Sequence, residues 1–221
     1  MTSIPNPWVH LPATPDFVLP EDAPQVYEHN ARRGEDYQLQ LHVLPESFLG
    51  PVDAPVVLLS LNPGYVASDV DDYAPEKRAE MIRGSLTHQL GRDEAFYFLT
   101  DKFAGTGGHY WWNKKLAPLI RQVGIENVRR RVQVLEYSSY KSHRYWDLPD
   151  ALPSQRYTFQ LARDALARGA LIVVMRSYER WHGAVPELDN GNVHRLKNRQ
   201  NVTIGPGNCP TGFDGIIQRL A

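Results

Sequence analysis

Four short apolar runs punctuate the chain: Val56-Val57-Leu58-Leu59-Ser60-Leu61, Val132-Gln133-Val134-Leu135-Glu136-Tyr137, Leu171-Ile172-Val173-Val174-Met175 and Asn201-Val202-Thr203-Ile204. The first and third are rich in Leu and β-branched residues without clean alternation, the pattern of strands buried on both faces. Between the runs the apolar positions take helical spacing. Ile82, Leu86 and Leu90 stand four apart, and Leu116, Leu119, Ile120 and Val123 make a second face. From Ser154 to Gly169 a wide stripe joins Tyr157, Leu161 and Ala165 to Phe159, Ala162 and Leu166, with Ser154 placed as N-cap and Gly169 as C′ residue. Ile216, Ile217 and Leu220 predict a short last helix. Strands alternating with helices imply an α/β fold: a four-stranded parallel sheet covered on both faces and joined by right-handed crossovers. In such folds the ligand crevice lies beyond the carboxyl ends of the strands.

Residues 1–50 break this rhythm. They hold Pro5, Pro7, Pro12, Pro15, Pro20, Pro24 and Pro45, with Pro51 just beyond. Proline lacks an N–H and fixes φ, so neither a continuous helix nor a central strand is expected here. The segment reads as an irregular arm packed on a domain of residues 51–221, with a short edge segment near Tyr37 to Leu44 where Leu39, Leu41 and Val43 alternate.

Composition narrows the function classes. The 221 residues are 42% hydrophobic, enough for a core, and the net charge of −1 gives no global pull toward nucleic acid or membrane. Cys209 is the single cysteine, which excludes an internal disulfide framework and a four-cysteine metal site. The first twenty residues lack a basic start followed by an apolar run, and no stretch approaches the roughly 18–20 apolar residues of a spanning helix. A reducing, cytoplasmic setting is expected, with no membrane partner.

The candidate chemistry sits in the loops after the strands. The first run ends in Asn62-Pro63-Gly64-Tyr65, a turn in which Pro63 fixes one φ and Gly64 permits positive φ or close backbone approach, projecting Asn62 at the crevice mouth. After the second run, Ser138, Tyr140, Lys141, Ser142, His143 and Trp146 interleave hydroxyls, aromatics and cations. Such a loop suits stacking on bases and pairing with phosphates, or packs its aromatics back on the core. Arg176 follows the third run, placed to meet an anion or a structural carboxylate. The fourth run leads through Gly205 and Gly207 to Asn208-Cys209-Pro210-Thr211-Gly212, where glycines before a helix start expose N–H groups suited to phosphate. A flexible loop from Gly105 to Asn113 carries Trp111 and Trp112, either core packing or a stacking wall. Zinc-type histidine spacing, a G-x-S-x-G elbow, a Walker A loop and a G-x-G-x-x-G fingerprint are all absent, so neither a metal nor a cofactor is expected. The acidic cluster of Asp69, Asp71 and Asp72 reads as a solvated helix start.

Together, the loops resemble those of the uracil-DNA glycosylase superfamily, most closely its mismatch-specific and single-strand-selective branches. These carry Gly-x-Asn-Pro-Gly after the first strand, matched here by Ser60-Leu61-Asn62-Pro63-Gly64, and a His- or Asn-Pro-Ser loop before the last helix, matched by Asn208-Cys209-Pro210-Thr211-Gly212. The resemblance covers about residues 54–221 and implies a three-layer αβα fold with a four-stranded parallel sheet.

It further implies an N-glycosylase acting on a flipped damaged or deaminated base, with single-stranded or mismatched duplex DNA as partner. Asn62 would orient the attacking water, N–H groups near Gly64 and Tyr65 would hold developing charge, and Tyr65 would stack on the base. Pro63, Ser138, Tyr140, Ser142 and Arg176 would line the substrate site, with Asn208 in a catalytic role and Pro210, Thr211 and Gly212 pressing on the strand. The turns near positions 62 and 210 are thus expected to meet on one rim of the sheet and enclose a base-sized cavity. Two alternatives stand beside this reading: a non-catalytic nucleic-acid or nucleotide binder that keeps the fold, and a hydrolase of small nucleosides or modified nucleotides.

Overall fold

Three of the four apolar runs form the centre of one sheet. The computed structural model describes residues 4–221, the Asn190 side chain excepted; residues 1–3, where the expected arm begins, lie outside the described residues. The strands are β1 (Phe48–Leu49), β2 (Val56–Ser60), β3 (Val132–Glu136), β4 (Leu171–Val174) and β5 (Val193–Arg195). The helices are α1 (Ala23–Arg32), α2 (Asp69–Tyr73), α3 (Glu76–Leu86), α4 (Gly107–Val123), α5 (Ile125–Arg131), α6 (Gln155–Ala167), α7 (Tyr178–Ala184) and α8 (Phe213–Leu220).

The spatial order of the strands is β1-β3-β2-β4-β5. β2 pairs in parallel with β3 and β4, and β4 with β5, while β1 runs antiparallel to β3. Every residue of β2, β3 and β4 is buried. Successive strand side chains point to opposite faces, so both faces of the central sheet are covered. α6 packs on β3 and β4, whereas α8 packs on β2 and joins α4 and α5. The pairing sets Ser60 opposite Glu136. Met175, one residue past β4, donates its N–H to Leu59. Three strand ends therefore lie side by side, and the cavity described below opens beyond them.

The sheet corrects the expectation of four parallel strands in two respects. First, Asn201–Ile204 is not a strand. Val202 and Ile204 are buried, which accounts for the apolar signal, but the backbone is bonded elsewhere. Ile204 N–H donates to the Lys115 carbonyl in α4. The Asn208 amide nitrogen donates to the Asn201 and Thr203 carbonyls. β5 takes the fourth parallel place, a three-residue edge strand with no fully buried residue and hence no apolar run to reveal it. Second, the antiparallel edge comes from the arm through Phe48–Leu49, not from the segment near Tyr37 to Leu44. In that segment Leu39, Leu41 and Val43 are buried without sheet pairing.

The arm is also less irregular than its prolines suggest. α1 begins at Ala23 with Pro24 in its first turn, where the missing N–H costs nothing. At α6, Gly169 takes the expected left-handed φ of 74°, but Ser154 makes no side-chain cap. Its backbone N–H donates instead to buried Asp22 of the arm at 3.0 Å. Among the described residues no helix is long and apolar enough to cross a membrane.

Tyr140 clasps the arm to the domain. Its hydroxyl donates to Asp22 at 2.7 Å and accepts from Leu19 N–H at 3.1 Å, all three residues being buried. Removing the hydroxyl orphans one buried donor and weakens the solvation of a buried carboxyl. Tyr140→Phe is expected to lower stability by about 1–3 kcal/mol. Urea unfolding measures this, and an unchanged midpoint at unchanged slope would show that the clasp contributes nothing.

Candidate active site at the carboxyl ends of β2 and β3

A cavity of about 470 Å³ opens where β2 and β3 end, between the turn after β2, the loop after β3 and the start of α4. Chain geometry straps the first two walls together. Beyond β2, Asn62-Pro63-Gly64-Tyr65 runs beside the loop after β3, with Gly64 bridged to Ser142 and Tyr65 N–H donating to the Ser142 carbonyl at 3.0 Å. The Asn62 amide nitrogen donates to the Pro63 carbonyl and to Ser142 Oγ, both at 3.1 Å. Pro63's carbonyl only accepts, so the Asn62 nitrogen must face it and both amide N–H groups are committed. The side-chain oxygen of Asn62 makes no hydrogen bond among the described residues.

The loop after β3 contributes Lys141, 4% exposed. Its ammonium lies 3.2 Å from Glu46 and 3.5 Å from Asp69, donates to the Gly64 carbonyl at 3.3 Å, and sits 5.0 Å from the centre of the Tyr73 ring. Burial opposes the charge, but Glu46, Tyr73 and Asp69 outweigh it and hold the lysine above its usual pKa. An ammonium so held has no lone pair with which to attack a carbonyl.

The floor carries Glu136, the last residue of β3, 3% exposed and with Oε2 lacking any hydrogen-bond partner. Burial raises its pKa from 4.5 to about 8. The nearby Glu46 adds to the rise, and a hydrogen bond from Ser60 and the charges of Lys141 and Arg176 oppose it. At neutral pH it is a neutral acid. Aromatic residues close the sides: Tyr73, Phe98 and Trp111 line the cavity. The adjacent tryptophans divide their roles. Trp112 is buried and edge-on to Phe96 at 5.4 Å, while half-exposed Trp111 stands edge-on to Trp112 at 4.5 Å. α4 starts at Gly107, so the expected flexible loop is helical from there on. A Cβ on Gly108 would fall 2.2 Å from the Phe98 ring, so only glycine lets α4 approach this wall.

Of the residues expected at the site, Asn62, Pro63, Gly64, Tyr65, Ser142 and Arg176 line this one cavity. Tyr65 is fixed by a 3.0 Å bond to His42 and by edge-on contacts with His42 and His143. Its N–H is occupied by Ser142, so it is not free to hold developing charge as expected. Gly64 is not among the positive-φ glycines, and a Cβ there would meet nothing within 4 Å, leaving the rim open on that side. Arg176 forms no ion pair with a carboxylate among the described residues; its Nη2 donates to the Gln200 carbonyl at 3.3 Å and its buried Nε has no partner.

Ser138, Tyr140, Asn208, Pro210, Thr211 and Gly212 do not line the cavity, which corrects the expected pairing of the two loops. Ser138 and Tyr140 are buried in the body of the protein. Asn208 is used up internally: its side-chain oxygen accepts from Asn198 N–H at 2.7 Å and its nitrogen grips Asn201 and Thr203. Thr211 Oγ1 meets His194 at 3.1 Å, and Gly212 lies against His194 and Cys209, where a Cβ would clash. This loop belongs to the β5 edge, outside the lining of the cavity; Asn208 holds residues 198–203, among which the Gln200 carbonyl accepts from Arg176. Cys209 is buried, and burial raises its thiol pKa, away from nucleophilic use. The acidic cluster is only partly solvated, since Asp69 is buried against Lys141. Sequence reasoning passed over Glu46, assigned no role to Glu136, and read Lys141 as a cation of a base- and phosphate-facing loop, whereas it is buried against Glu46 and Asp69. The available signal was Glu136 itself, a charged residue closing an otherwise apolar strand. Among the described residues no cluster of three or more His, Cys, Asp or Glu is placed to hold a metal.

Two stability predictions follow from these charges. Lys141→Met leaves buried carboxylates without their cation and is expected to cost about 3 kcal/mol, with much of the loss recovered in Glu46→Gln/Lys141→Met; urea unfolding of both variants measures it. For Glu136 the folded chain keeps a proton that the unfolded chain has released above its ordinary 4.5, so stability falls as pH rises toward about 8. Between pH 6.5 and 8.5, above the range where buried His88, lowered to about 4, contributes, melting temperatures of the wild type should fall relative to Glu136→Gln. Parallel curves would show that the carboxyl is ionised throughout.

No family model matches the chain, nor does any curated protein or solved structure, so the reading of this site rests on its own geometry.

Proposed function

We propose that the protein hydrolyses the N-glycosidic bond of a damaged or deaminated nucleobase seated in this cavity, on a fold of the uracil-DNA glycosylase type, with single-stranded or mismatched DNA as substrate. The observation that carries the reading is the Asn62 amide at the cavity mouth. Its two N–H groups are spent inside the protein, so its oxygen is oriented to accept from one water. A water that donates to Asn62 turns a lone pair toward a sugar carbon at the mouth. As the bond between C1′ and the base nitrogen breaks, the nitrogen takes the electron pair, the water oxygen bonds C1′, a water proton passes to solvent, and the departing base gains a proton.

An amide positions water but scarcely deprotonates it, so modest turnover is expected. The cavity volume lies within the range of small-ligand sites. Tyr65 and Trp111 offer aromatic surface for a base that has left its stack, at the usual cost of a few kcal/mol for unstacking. Arg176, with an unpartnered N–H, suits an anionic oxygen of the substrate. The protonated state of Lys141 argues for simple hydrolysis without a covalent imine.

A second reading, a non-catalytic nucleic-acid or nucleotide binder, draws on one observation: Asn208 is committed to its own loop, so no second amide faces Asn62. The two readings separate on oligonucleotides containing uracil, hypoxanthine or ethenocytosine, single-stranded and opposite each base. Base release should appear as alkali-labile sites and fall by about a hundredfold or more in Asn62→Ala. No abasic product at stoichiometric protein would overturn the hydrolytic reading. Salt-dependent binding of single-stranded DNA that is indifferent to Asn62→Ala would favour the binder.

A further inference from the structure

Outside the cavity, its rim carries positive charge that no carboxylate neutralises. Lys114, Lys115 and Arg176 form no ion pair among the described residues. They are neighbours: burial lowers the Lys115 pKa, and the charges of Lys114 and Arg176 lower it further. Like charges so placed repel one another, a cost that an arriving anion removes. Their hydrogen bonds are to neutral groups. Lys115 Nζ donates to the Asn201 side-chain oxygen at 3.0 Å, and Arg176 Nη2 to the Gln200 carbonyl at 3.3 Å. The cluster is continuous with the cavity, because Arg176 lines it and Lys115 Nζ sits 5.7 Å from the centre of the Trp111 ring, another lining residue. One turn before Lys114 on α4, Tyr110 is 68% exposed, more than any other large hydrophobic side chain described, and Lys114 Nζ stands 5.8 Å from its ring centre. Side chains four apart on a helix share a face. Trp111 and Lys115 therefore make a stripe along the cavity wall, and Tyr110 and Lys114 a second stripe beside it, open to solvent.

We infer that this strip of α4, together with Arg176, is a docking surface for single-stranded DNA, Tyr110 stacking on the base next to the one in the cavity and Lys114, Lys115 and Arg176 meeting the backbone phosphates beside it. This rests on the proposed function only for the presence of a base in the cavity, and it selects the single strand over the mismatched duplex. In a duplex the neighbouring base keeps its place in the stack and offers no face to Tyr110. In a single strand it is free to turn onto the ring, and any of the four bases has a face to offer. The charge count agrees. Three cations match two or three phosphates, whereas duplex-binding proteins make on the order of six to ten phosphate contacts. With a net charge of −1, the chain has no wider basic field to hold a second strand.

The test is fluorescence anisotropy of a labelled, undamaged, mixed-sequence oligonucleotide of about fifteen residues, single or paired with its complement, over a series of NaCl concentrations. It is run on the wild type, Tyr110→Ser, Tyr110→Trp and Lys114→Gln/Lys115→Gln, each first shown folded by its melting transition. The wild type should bind the single strand about tenfold or more tightly than the duplex, the worth of one stacked base. Its log affinity should fall against log salt with a slope of about −2, three cations at roughly 0.7 each on a single strand, and the double lysine variant should leave a slope of about −0.7. Tyr110→Ser should weaken binding about tenfold at unchanged slope, and Tyr110→Trp should restore it, because stacking carries no charge and needs only an aromatic face. The inference is overturned if Tyr110→Ser binds like the wild type, if the lysine variant keeps the full slope, if the duplex binds as tightly as the single strand, or if neither binds. Undamaged DNA yields no product, so binding is scored apart from hydrolysis. Base release from a uracil-containing strand that ignores Tyr110→Ser retains the hydrolytic reading alone, and Tyr110-dependent binding without release retains this inference alone.

Discussion

The arrangement around the cavity depends on one buried positive charge. An ammonium removed from water must be surrounded by oxygens, and Lys141 finds them on three separate stretches of chain: Glu46 in the arm, the Gly64 carbonyl in the turn after β2, and Asp69 at the start of α2. Apolar packing tolerates substitution of one hydrophobe for another, but an unpaired buried charge costs several kcal/mol. The rim is therefore held by a demand that is specific in position and sign. The arm, whose prolines suggest a loose covering, supplies one of the carboxylates that meet it.

The same cluster sets the chemistry of the floor. Glu46 lies within reach of both Lys141 and Glu136, and its charge raises the Glu136 pKa while that of Lys141 opposes the rise. Burial is the largest influence and keeps Glu136 neutral. From mouth to floor the cavity passes from an amide with its donors spent, through aromatic walls, to an uncharged acid. It thus lines its walls with hydrogen-bonding groups and aromatic faces above a buried carboxyl.

The opposite rim is braced differently. Immediately after Arg176, Ser177 adopts a left-handed φ of 54° and starts α7, whose buried Trp181 donates from Nε1 to the Ser60 carbonyl at 2.6 Å. A non-glycine residue in that region persists only where its surroundings fix it. Here the Trp181 bond ties α7 to the end of β2, and Gln200 accepts from Arg176. The Asn208 loop, although its composition suits phosphate, organises residues 198–203 and thereby supports Arg176 from behind.

The apolar runs at Val56, Val132 and Leu171 identified the central strands within a residue or so, because burial on both faces leaves no room for polar positions. The helix from Ser154 to Gly169 was legible for the same reason, its stripe being wide and its end marked by a glycine. Asn62, Pro63 and Gly64 were legible as a turn projecting beyond β2, since proline and glycine act on the backbone locally. β5 was not, for an edge strand of Val193, His194 and Arg195 buries too little to leave a pattern, and Val202 and Ile204 misled because burial of side chains does not dictate where backbone hydrogen bonds go. Nor could the chain alone say that Glu46, Asp69 and Lys141 meet, or that Asn208 is consumed by its own loop. Local propensity and periodicity are properties of neighbouring residues, whereas the partner of a buried charge is chosen by which distant segments arrive beside it.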